Sequence, residues 1–138
     1  MNRYVKSTHY EAEDGKNGYE IFDEIIGKIF VSISASFDDA TVTFKTDEGE
    51  VYVMFHERDC CESVILQEVI GDIRWLANSP IVRAERRWNI GRNEDNESST
   101  WTFYEMATLE GSVTFRWYGT SNGYYSEDVS FEKLGDDE

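Results

Sequence analysis

The chain has one proline (Pro80), two cysteines (Cys60 and Cys61) and two histidines (His9 and His56) in 138 residues. No apolar run approaches the roughly 20 residues that a membrane-spanning helix needs. The opening MNRYVKSTHY lacks the apolar stretch of a secretion signal. Basic residues are scarce, 13 Lys and Arg against 28 Asp and Glu, for a formal charge of −15. That balance repels nucleic acid and anionic membrane, and favours a basic partner or plain solubility. The cytoplasm is the expected setting, where two cysteines stay thiols. A bond between the neighbours Cys60 and Cys61 would close a strained eight-membered ring and is not expected.

What is present favours folding. Hydrophobic residues make up 40% and aromatics 14% of the chain, above what disordered segments carry. The length suits one domain able to bury a core without disulfides or metals. Residues 1–18 are polar and read as a flexible N-terminal arm, 19–134 as a single β-rich domain, and 135–138 as an acidic tail. YEIFDEIIGK places Ile21, Phe22, Ile25 and Ile26 at helical spacing before Gly27. KIFVSISAS, TVTFKT and VYVMFH then alternate with period two across the turns FDDA and DEGE, the pattern of an antiparallel meander. SVILQEVIG reads as a strand, DIRWLANSP as a short helical turn capped by Asp72, and IVRAERRWNI as a strand. GRNEDNESS reads as a mobile polar loop. TWTFYEMAT and SVTFRWYG form a hairpin around LEG, and TSNG turns into YYSEDVSFEKL. The expected fold is mainly β (α+β): an antiparallel, barrel-like meander with two short helices.

Candidate chemistry concentrates in three stretches. HERDCCESV, residues 56–64, holds His56, Cys60 and Cys61 among acids. Zinc wants four ligands, and adjacent cysteines in an extended segment face opposite sides, with only His9 as a further imidazole. A cysteine nucleophile needs a lowered thiol pKa, which surrounding acids oppose. The stretch therefore reads as a structural corner with small buried cysteines, and neither a metal site nor a catalytic residue is expected. IVRAERRWNIGR gathers Arg83, Arg86, Arg87 and Arg92 beside Trp88. Alternation sets Arg83, Glu85 and Arg87 on one face and Arg86 with Trp88 on the other. Such a group either holds a phosphate or pairs with neighbouring acids. In RWYGTSNGYYSE, Val113, Phe115 and Trp117 point inward and leave Thr114, Arg116 and Tyr118 outward, with Asn122 and Tyr124 at a turn. These are the residue types of a base-stacking pocket, and equally of an ordinary half-buried strand.

IIGK at 25–28, DCCESV at 59–64, the segment 71–81 and RWYGTSNGYYSE at 116–127 together resemble a family of short phage and prophage proteins carried as a domain of unknown function. The resemblance spans about residues 20–131. The chain is also similar to the phage sponge proteins that counter the Thoeris defence by binding cyclic ADP-ribose-type signals without cleaving them. The resemblance implies a cytoplasmic, non-enzymatic anti-defence protein in an infected bacterial host, needing no cofactor. Its expected ligand is a small anionic nucleotide held by Arg83, Arg87, Trp88, Arg116, Tyr118, Asn122 and Tyr124, with a homo-oligomer as an option. The alternative is an acidic inhibitor that imitates nucleic acid and blocks a basic host defence protein. Neither reading involves direct nucleic-acid or membrane binding.

Overall fold

The computed structural model describes residues 18–134. The tail at 135–138 and the arm, apart from Gly18, lie outside the described residues, as does His9. Eight strands follow the helix α1 (Gly18–Asp23): β1 (Phe30–Ser36), β2 (Thr41–Thr46), β3 (Val51–Phe55), β4 (Ser63–Ile70), β5 (Arg83–Arg92), β6 (Ser98–Thr108), β7 (Gly111–Ser121) and β8 (Ser130–Lys133). They form two four-stranded sheets, β1-β2-β3-β8 and β4-β7-β6-β5, in which every strand pair is antiparallel. This corrects the barrel-like expectation. The hydrogen-bond ladder stops after Phe55 and again after Ser121, so the sheets stay open and separate. The chain crosses between them twice, through 56–62 and through 122–129.

Inward alternation builds the core. Val42, Phe44, Tyr52 and Met54 of the first sheet meet Tyr104, Met106, Phe115 and Trp117 of the second, all fully buried. Phe44 packs edge-on against Phe115 at 5.8 Å, and Trp117 Nε1 lies 3.3 Å from Met54 Sδ. α1 plugs one side by setting Phe22 edge-on to Tyr104 and Phe131, at 4.9 and 5.1 Å. Ile21 and Ile25 are buried with it, while Ile26 is 50% exposed, because α1 ends at Asp23 and Ile26 lies in the turn that follows. A 3₁₀ turn at Ile73–Leu76, capped by the Asp72 side chain, links β4 to β5. Isolated bridges from Phe30 to Ala77 and from Ile29 to Pro80 tie that connection to the start of β1.

Two loop readings change. The polar stretch after β5 is a tight hairpin turn, with Arg92 paired to Ser98. The Asn93 side-chain oxygen accepts from the Asp95 and Glu97 amides and orders it. In the last stretch only Ser130–Lys133 is a strand, and it pairs with β3 rather than β7. Among the described residues, no helix is long and apolar enough to cross a membrane.

Candidate ligand-binding face

The solvent side of β4-β7-β6-β5 follows from the same alternation that fills the core. Antiparallel register places Arg87, Phe103, Arg116 and Glu68 in one row across β5, β6, β7 and β4. The next row is Asn89, Trp101, Tyr118 and Ile65, and the row on the other side is Glu85, Glu105, Thr114 and Ile70. Side chains in adjacent rows of one face are in reach of each other when they are aromatic or long.

Three aromatic rings thereby share one surface. Trp101 and Tyr118 stand 4.4 Å apart, and Trp101 lies nearly parallel to Phe103 at 6.5 Å. The Arg116 guanidinium carbon is 5.4 Å from the Trp101 ring centre, and that of Arg87 is 5.9 Å from Phe103. Such cation–π contacts at exposed sites contribute about 0.5–1 kcal/mol each. Arg116 also donates to Gln67 Oε1 at 2.8 Å and pairs with Glu68. Glu105 lies 3.2 Å from Arg83 and 3.9 Å from Arg87. Glu68 is exposed and Glu105 half-buried, and solvated partners of this kind hold arginines only weakly. Chemically, the face offers two nearly parallel rings, Trp101 and Phe103, with Tyr118 tilted by 43° to Trp101, edged by two guanidinium forks that can exchange their acids for another anion.

The structure brings together three of the residues expected at a ligand site, Arg87, Arg116 and Tyr118. Arg83 is on the same face, toward the other end of β5, within reach of Glu85 and Glu105. Trp88 is on the opposite face of β5, beside Arg86, whose guanidinium carbon sits 5.1 Å from its ring. Asn122 and Tyr124 belong to the second crossing. There the Asn122 side chain accepts from the Tyr124 amide, and Tyr124 is 88% exposed. Trp101 and Phe103 were not among the expected residues. The signal was in reach: a two-residue turn at Leu109-Glu110 pairs Thr108 with Gly111, and counting back from it sets Trp101 opposite Tyr118.

HERDCCESV is the first crossing, and its acid is the buried element. The Glu62 side chain is fully buried and accepts from the Asp59 and Cys60 amides at 2.7 and 3.0 Å and from His56 Nε2 at 2.6 Å. Burial alone would raise its pKa, but these hydrogen bonds outweigh burial and hold it at about 2. His56 Nδ1 lies 2.6 Å from the Asp128 carbonyl oxygen. With both ring nitrogens engaged, His56 has no lone pair directed at a metal. Among the described residues, no group of three His, Cys, Asp or Glu is placed to hold one. The cysteines correct the reading twice. Both are exposed rather than buried, and they are joined as a Cys60–Cys61 disulfide rather than held as thiols. The chain bends at both residues instead of running extended, so the two side chains meet on one side.

The second crossing is anchored by buried polar groups. Asp128 pairs with Arg86, which donates to Tyr104 Oη at 3.0 Å, and that phenol donates to the Val129 carbonyl at 2.7 Å. Burial pushes the Tyr104 pKa up to about 12. Glu127 accepts from the Thr100 hydroxyl at 2.6 Å and from Ser121. No curated protein and no solved structure matches the chain. A family model described as a domain of unknown function, DUF7448, matches residues 23–131, from the end of α1 to the second residue of β8. The match takes in the outer face and both crossings, and the chain belongs to the DUF7448 family.

Proposed function

We propose that this chain is a non-enzymatic binding protein of the phage anti-defence kind, which sequesters a small nucleotide signal of cyclic ADP-ribose type on the outer face of β4-β7-β6-β5. The observation that carries the reading is the convergence of Arg87, Arg116 and Tyr118 with Trp101 and Phe103 on one solvent-facing surface. A base stacks on Trp101 and Tyr118, and the phosphates take Arg116 and Arg87 from Glu68 and Glu105. Stacking contributes about 1–3 kcal/mol per base, whereas nanomolar sequestration needs about 12 kcal/mol. An open face must therefore gather several such contacts, and a second copy covering the ligand from above would supply more.

Native mass spectrometry tests this on protein purified from bacteria expressing an active signalling defence and from defenceless cells. The expected result is a nucleotide-sized mass released only from the first preparation. A ligand-free mass in both overturns the reading. A second reading, the acidic inhibitor of a basic defence protein, draws on the exposed carboxylates of Asp38, Asp39, Asp47, Glu48, Glu94 and Asp95 in three turns. Its signature is association with a basic protein that weakens steeply with salt.

A further inference from the structure

Strand β4 does not keep period two along its whole length. Val64 and Leu66 pack on the core, and strict alternation would send Glu68 inward after them and Val69 outward. The pairing with β7 instead shifts between Leu66 and Glu68. Leu66 stands opposite Trp117, Glu68 opposite Arg116 and Val69 opposite Phe115. Gln67 is therefore the extra residue of a β-bulge, and Gln67 and Glu68 together oppose Arg116. Val69 returns to the core, while two consecutive polar side chains stay exposed. Both reach the same guanidinium. Gln67 Oε1 accepts from Arg116 Nε at 2.8 Å, and Glu68 Oε1 accepts from Nη2.

We propose that Gln67 is a positioning residue of the nucleotide face, holding Arg116 against Trp101 through Nε while an incoming phosphate displaces Glu68 from Nη2. The proposal rests on the nucleotide reading of that face. The two partners of Arg116 respond differently to an arriving anion. Glu68 is a carboxylate with a side chain 51% exposed, and a phosphate beside it repels it into solvent. Gln67 is uncharged, keeps its oxygen on Nε, and has amide N–H donors of its own to offer a phosphate oxygen. An arginine side chain has much rotamer freedom to lose. With Glu68 displaced and no Gln67, little would keep the guanidinium carbon at its 5.4 Å from the Trp101 ring centre. The bulge thus sets a retained partner beside an exchangeable one, and it favours nucleotides that carry phosphate over bare nucleosides.

NMR titration of the full-length protein with ADP-ribose, and with adenosine, which shares the base and lacks the phosphates, tests this. In the wild-type chain the Arg116 Cδ protons should lie upfield, shifted by the Trp101 ring. Gln67→Met, similar in shape but without the amide, should move them back toward ordinary values. It should weaken ADP-ribose by roughly three- to tenfold, the share of one hydrogen bond, and leave adenosine unchanged. Glu68→Gln should keep the upfield shift and bind ADP-ribose more tightly than wild type. A merely structural role for Gln67 would weaken both ligands together. An unmoved Arg116 shift in Gln67→Met, an unchanged affinity for ADP-ribose, or equal losses for the two ligands overturns the proposal. If the wild-type chain binds neither compound, the nucleotide reading of the face falls, and the Arg116 shift still decides whether Gln67 holds the guanidinium.

Discussion

The guanidinium of Arg116 lies against the ring of Trp101, its carbon 5.4 Å from the ring centre, on the face of the second sheet turned away from the core. Each residue is placed by a pattern rather than by local chemistry. Arg116 alternates outward between Phe115 and Trp117, and Trp101 alternates outward beside Thr102. The hairpin turn at Leu109-Glu110 brings their strands into register.

Trp101→Ala should weaken nucleotide binding by roughly 5- to 150-fold, the equivalent of about 1–3 kcal/mol of lost stacking. The urea midpoint should fall less than on removal of a core ring, because Trp101 is half-buried on the outer face. Arg116→Lys should fall short of full affinity, since an ammonium cannot reproduce a planar fork on an aromatic face. Calorimetric titration with ADP-ribose or its cyclic form reads both. Unchanged affinity in both variants would remove the face from consideration.

Trp117 supplies the contrast on the same hairpin. It is fully buried and its Nε1 donates to Met54 Sδ, so Trp117→Ala should cost about 3–5 kcal/mol through the cavity it leaves. Against a typical domain stability of about 5–15 kcal/mol, urea unfolding should show a large loss. A loss similar to that of Trp101→Ala would mean the inward and outward assignments are reversed.

Gly119→Ala should also destabilise, by overfilling. A Cβ there would sit 2.9 Å from Glu127 Cβ, 3.0 Å from Val64 Cγ2 and 3.2 Å from the Glu127 carbonyl oxygen. Overpacking of this kind costs about 1–3 kcal/mol. It should appear as a lower urea midpoint with an unchanged slope. A stable Gly119→Ala variant would show that the second crossing is not packed against β7.

Glu62 predicts the acid behaviour. Its folded pKa of about 2 lies below the ordinary 4.5, so the unfolded chain binds a proton more readily there. The stability Glu62 contributes is complete above the ordinary value and drains away as pH falls from there toward 2, by up to about 3 kcal/mol. Glu62→Gln should be less stable at neutral pH and should flatten that part of the stability–pH curve. A curve equally steep in the variant would assign the acid sensitivity to other carboxylates.

Alternation carried most of the fold. β1, β2, β3 and the β6–β7 hairpin were legible because each has one buried face and punctuating turns. The division into two sheets was not, because it depends on β4 pairing with β7 rather than with β3 across the bend at 56–62, and the place of β8 was not legible either. Nothing in SFEK distinguishes β3 from β7 as its neighbour. The separation of Trp88 from Arg87 was legible in strand alternation, yet both entered the expected site because residue type was weighed above facing. Trp101 and Phe103 were passed over for the complementary reason: Thr102, Tyr104 and Met106 between them announce a core strand, and the outward positions look incidental. The vicinal bond at Cys60 and the burial of Glu62 both depend on the bend of the corner, which local composition does not specify.

The pairing of β3 with β8 has a consequence for synthesis. β1, β2 and β3 leave the ribosome before β8 and can form their meander, but the outer edge of β3 stays unpaired until six further elements have followed, the last of them β8. Until then a row of amides and carbonyls along Tyr52, Val53, Met54 and Phe55 stands ready for any extended chain. Contacts this distant in sequence also close slowly. The nascent protein is therefore open to wrongful pairing until β8 has emerged, and a chain broken off ahead of Ser130 would keep that edge permanently.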